Sequence, residues 1–187
     1  MIAMAQEELD VMRLTGAAHR MAQVAPEVDK SFLGTSGGSV ARYIFGNTCS
    51  APESARQLVA AQLISSDDPI AVALQEKDPA QAATGLNDKA QILNSASEMA
   101  TQVSRQAKDR DTMVNAAALR RRMNTSDMSP EAIAVGFETI TRKAQSAGND
   151  EATAGAAKAF ATIAIAGITE RDRLRSAPRR TADRELD

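Results

Sequence analysis

The sequence predicts an all-α protein, an irregular bundle of about six to eight helices. Three observations predict it. Proline follows a serine or aspartate at repeated helix starts. Apolar residues return at steps of three and four, the helical period. Alanine is the commonest apolar residue, with 8 Met, 4 Phe, 1 Tyr and no Trp among 187 residues. Alanine favours helix but brings little apolar area to each contact.

The first helix is expected over about Ile2 to Val24, with Leu9, Met12, Ala17, Met21 and Val24 on one broad face. Gly16 weakens it locally, and Pro26 ends or bends it. Residues 31–39 hold Gly34, Gly37 and Gly38 and read as a flexible connector. A phosphate loop is the weaker reading of those glycines, because the G-x-x-x-x-G-K-[ST] pattern and a preceding strand are missing. Val40 to Phe45 is assigned to a helix, since one short strand would have no sheet to join.

Ser50-Ala51-Pro52-Glu53 has capping-box spacing and starts a helix to about Ile64. Asp68-Pro69 and Asp78-Pro79 repeat the start signal, with aspartate as cap and proline at the first helical position. The 36 residues from Asn87 to Arg122 contain no proline or glycine and predict one long helix. Its heptad-like stripe runs through Leu93, Ala96, Ala100, Val103, Ala107, Val114 and Ala117 and favours helix-on-helix contact. A break at 124–129 leads to Ser129-Pro130-Glu131 and a helix bearing Ile133, Phe137, Ile140 and Ala144. Gly148-Asn149-Asp150 ends it. The last helix runs from Glu151 to about Arg173, with Ala156, Phe160, Ile163, Gly167 and Leu174 on its apolar side.

The domain reading has four parts. Residues 1–30 form an N-terminal helix able to dock on a neighbour, and 31–39 the connector. Residues 40–175 form the helical body, and 176–187 a polar, mobile tail.

Net charge is -2, unevenly spread. Residues 1–100 hold 7 basic and 12 acidic side chains, whereas 101–187 hold 15 and 12. A nucleic-acid footprint is therefore confined to the second half. Arginine outnumbers lysine 16 to 6, which suits directional contact with carboxylate or phosphate. The partner-binding residues expected are Arg120, Arg121 and Arg122, with Arg105 and Lys108 extending the basic surface. The competing reading of the triplet is electrostatic: cations belong at a helix C-terminus, where free carbonyls carry partial negative charge.

Little points to catalysis. His19 has no triad motif around it, and Gly16 stands where a Glu-x-x-His metal pair would need a ligand. Cys49 is the single cysteine, so it has no internal disulfide partner; it reads as a small semi-buried residue rather than an activated thiol. No catalytic, cofactor or metal residues are assigned. No run reaches 18 apolar residues, so no transmembrane helix is expected. Met1 to Val11 meets Glu7, Glu8 and Asp10 too early for a secretory signal. A cytoplasmic location or a place within an assembled particle is the expectation, with export without a cleaved signal left open.

The function expected is a non-enzymatic structural or assembly protein that self-associates or binds other proteins. Its composition is compatible with shell or scaffold components of virus particles, and with exported self-associating bacterial proteins. A helical nucleic-acid-associated module is the alternative.

Overall fold

The computed structural model describes residues 39–178. The expected N-terminal helix, the connector up to 38 and the end of the tail lie outside the described residues. Eight helices are described, and no strand among the described residues: α1 Val40–Gly46, α2 Ala51–Ala60, α3 Pro69–Gln75, α4 Lys77–Thr84, α5 Lys89–Gln106, α6 Arg110–Thr125, α7 Pro130–Ser146 and α8 Asp150–Ser176. The all-α bundle expected from the sequence is what forms.

Capping sets most of these boundaries. Ser50 accepts from the Glu53 amide, Asp68 from Ile70 and Ser129 from Ala132, with proline in each first turn. These side chains satisfy amides that have no partner within the helix. One start differs from expectation. Helix α4 begins at Lys77, before Asp78, and its N-cap residue Glu76 makes no side-chain capping bond. Helix α2 also ends earlier, at Ala60, and Gln62 takes a positive φ of 59° just beyond it.

The main correction concerns the long helix expected over 87–122. It is two helices, α5 and α6, separated at Ala107, Lys108 and Asp109. Ala107 is extended, at φ -66° and ψ 131°, and Asp109 is the N-cap of α6, accepting from the Thr112 amide at 2.8 Å. Asp109 also accepts from the Asn149 amide nitrogen, which ties the break to the start of α8. An aspartate can therefore stop one helix and start the next without any proline or glycine. The stripe holds in α5, where Ala96, Ala100 and Val103 are buried and Leu93 is half-buried, and Ala107 just past its end is buried too. Beyond the break it fails. Helix α6 buries Thr112, Ala116, Leu119 and Met123 and leaves Val114 and Ala117 exposed.

The longest helix among the described residues is α8, at 27 residues, and it is the hub of the bundle. Helices α7, α5, α3 and α4 pack most closely on it, and α1 and α2 also touch it. Its Ala156, Phe160, Ile163 and Ala164 are fully buried. Leu174, expected on its apolar side, is 61% exposed. An 18-residue window of α8 reaches a mean hydropathy of 1.3, enough in length and composition to cross a membrane, but 72% of that window is buried within the bundle. Its apolar surface is thus consumed by neighbouring helices. Gly167 makes the closest approach possible: a Cβ there would sit 2.7 Å from Pro130 Cβ and 3.0 Å from the Phe45 ring.

Helix α1 has only seven residues, too short to stand alone. It is held at both ends from distant elements. Glu138, buried in the middle of α7, accepts from the Val40 amide at 2.8 Å, the Ala41 amide at 3.2 Å and Ser39 Oγ at 2.8 Å. Arg171, on α8, donates to the Phe45 carbonyl at 2.7 Å. A carboxylate at the N-terminus and a guanidinium at the C-terminus both match the helix dipole.

Candidate functional site

Among the described residues, two of the surface hollows carry charged side chains. The first, about 730 Å³, lies between α1, the start of α6 and α7. Its charges are largely committed to the fold. Arg142 pairs with Asp68 at 2.7 Å, Glu138 holds α1, and Asp109 caps α6. The Asp109 carboxyl is held below its ordinary pKa, chiefly by the Thr112 amide bond, with Asn149 adding to it.

The second hollow, about 490 Å³, is a groove between α5 and α6. Ala100 and Ala117 line it, together with Arg105, Arg120 and Arg121. Thr101, Ser104 and Asn124 complete the lining, so no carboxylate faces it. Thr101 Oγ1 donates to the Ser97 carbonyl at 3.0 Å and Ser104 Oγ to the Met113 carbonyl at 3.4 Å. Their hydroxyl protons are thereby in use, which leaves the guanidiniums and the Asn124 amide as donors. None of the three arginines pairs with an acidic side chain among the described residues. Unpaired like charges around one groove repel each other, and an incoming anion relieves that repulsion.

The helix break creates this arrangement. A straight helix over 87–122 would hold Arg105 and Arg120 about 22 Å apart along its axis, at 1.5 Å per residue. Folding α6 back against α5 brings them to one groove. The five basic residues singled out from sequence therefore divide. Arg105, Arg120 and Arg121 converge, while Lys108 lies in the link between the helices and Arg122 in the last turn of α6, and neither lines the groove. The helix-end reading of the triplet applies to Arg122 alone, since α6 continues to Thr125. Thr101, Ser104 and Asn124 were not foreseen. Their signal was helical spacing: Ala117, Arg121 and Asn124 share a face, as do Ala100, Thr101, Ser104 and Arg105.

Cys49 is half-buried and accepts from Gln57 Nε2 at 3.4 Å, while Gln57 Oε1 accepts from Tyr43 and Asn47. This cluster joins α1 to α2. His19 and the glycines at 34, 37 and 38 lie outside the described residues. No group of three or more His, Cys, Asp or Glu side chains is placed to hold a metal among the described residues. Compared with protein-family models, curated proteins and solved structures, the chain matches none.

Proposed function

We propose that this chain is a non-enzymatic helical protein that works by contact and self-associates, with the α5–α6 groove as its contact surface. One observation carries the reading: three guanidiniums face an acid-free groove and have no acidic partner among the described residues. Planar guanidiniums bind carboxylates in paired, directional hydrogen bonds. The surroundings suit a protein surface. Met113 and Val114, also on α6, are 45% and 53% exposed. Four large apolar side chains of the described body are exposed, and these two are the adjacent pair, with Val72 and Leu174 standing on other helices. Assembly into a larger particle is the extended form of the same property.

Nucleic-acid association is the second reading, favoured by the same three arginines. The net charge of -2 and the alanine-lined groove weigh against a phosphodiester backbone as occupant. Light scattering over a concentration series tests the leading reading. The expected result is a mass that rises with concentration and falls back as salt is added. A constant monomer mass overturns it. An oligonucleotide titration separates the second reading, since backbone binding weakens by a log–log slope of about -0.9 per phosphate contact.

A further inference from the structure

The groove's charge and lining can be compared with the chain's own sequence. Its three cations ask for about three closely spaced anions, and the exposed Ala117, with Met113 and Val114 on the same helix, asks for apolar groups beside them. Glu7-Glu8-Leu9-Asp10-Val11-Met12 supplies three carboxylates interleaved with Leu9, Val11 and Met12. Asp183-Arg184-Glu185-Leu186-Asp187 also holds three carboxylates, but an arginine and a single leucine lie among them, and the acidic pairs offer less. Asp67-Asp68 has Asp68 bound to Arg142, and Asp150-Glu151 opens a helix whose apolar residues are buried in the core.

We propose that the acidic stretch Glu7–Met12 of one copy docks in the Arg105–Arg120–Arg121 groove of a second copy. This rests on the self-association reading and names its contact. Residues 13–39 lie between that stretch and α1, and a chain of that length spans up to about 90 Å when extended. It is long enough to reach a neighbour. Each copy carries one stretch and one groove, so two copies exchange both and close a symmetric dimer.

A charge exchange in the full chain tests this. One variant carries Glu7→Lys, Glu8→Lys and Asp10→Lys; the other carries Arg105→Glu, Arg120→Glu and Arg121→Glu. Sedimentation velocity is run on each alone and on an equimolar mixture, with circular dichroism checking the helix content of both. The expected result is loss of the associated species for each variant alone and its return in the mixture. Two variants that stay monomeric when mixed overturn the proposal, and with it any exchange between copies. If either variant alone associates like the unaltered chain, the proposal also falls, while self-association itself stands. If the unaltered chain is a monomer throughout, both fall. A synthetic peptide of residues 1–14 gives a second measurement that needs no altered protein. It should dissociate the unaltered oligomer, and no dissociation at saturating peptide counts against the groove as the docking site.

Discussion

Around Gly167 and across the α5–α6 groove the same chain uses its arginines and small residues in opposite ways. At Gly167, α8 meets Pro130 and Phe45 with no room for a methyl group, and Arg171 a turn later gives its guanidinium to the Phe45 carbonyl. At the groove, Ala117 is exposed beside the hollow while Ala100 lies fully buried beneath it, and three guanidiniums have no acidic side chain to bind among the described residues. The small residues of α8 bring helices together, while those of the groove leave a hollow. Arg171 is engaged by the fold through the Phe45 carbonyl, whereas the guanidiniums left together at the groove are available for something else.

The contrast breaks most sharply in the core. Phe160→Ala on α8 should destabilise by about 3–5 kcal/mol in denaturant unfolding, since Phe160 is wholly buried and its removal leaves a cavity. Next comes the clamp on α1. Glu138→Ala strands the Val40 and Ala41 amides and should cost about 2–3 kcal/mol, with Glu138→Gln milder because one acceptor remains. Hydrogen exchange should report the loss first in α1.

Glycine substitutions sharpen the comparison within the core. Gly167→Ala meets a proline ring and an aromatic ring and should cost about 1–2 kcal/mol, overpacking outweighing the gain in helix propensity. Gly155→Ala meets the end of the flexible Gln106 side chain and should be close to neutral in the same melts.

Asp109 offers a pH test at the helix break. Its carboxyl titrates below its ordinary value near 3.8 in the folded chain, so its contribution is present above that value and fades as pH falls through the lower one. The protection of the Thr112 amide, taken relative to its unprotected exchange rate at the same pH, should fall on acidification in that window. Asp109→Asn keeps a capping acceptor and should flatten the dependence.

Much of the fold was legible because capping and periodicity are local. Ser50, Asp68 and Ser129 cap as their spacing implies, and Ile133, Phe137, Ile140 and Ala144 are buried together. The α5–α6 break was not legible. Lys108-Asp109-Arg110-Asp111 is as compatible with an exposed helical turn as with a cap, and the contact that decides it, Asn149, lies 40 residues away. That one misreading displaced the candidate contact residues too. The arginine triplet drew attention as a sequence cluster, but on a helix three consecutive residues point about 100° apart. Only Arg120 and Arg121 reach the groove, joined by Arg105 from the other helix. Glu138 and Arg171 were missed for a related reason: each acts on an α1 group about a hundred residues or more away in sequence.

The smallest expected effect on stability belongs to the groove, and it carries the central claim. Arg105→Ala, Arg120→Ala and Arg121→Ala combined should change unfolding free energy by no more than about 0.5 kcal/mol per site, as for exposed positions outside the core. Arg122→Ala, which touches no part of the groove, is the matched control. The decisive measurement is sedimentation velocity of the triple variant beside a denaturant melt. The expected result is a near-native melt with self-association lost, while Arg122→Ala associates normally. A triple variant that associates like the unaltered chain, or one that loses its fold, would contradict the claim that these arginines serve contact rather than architecture.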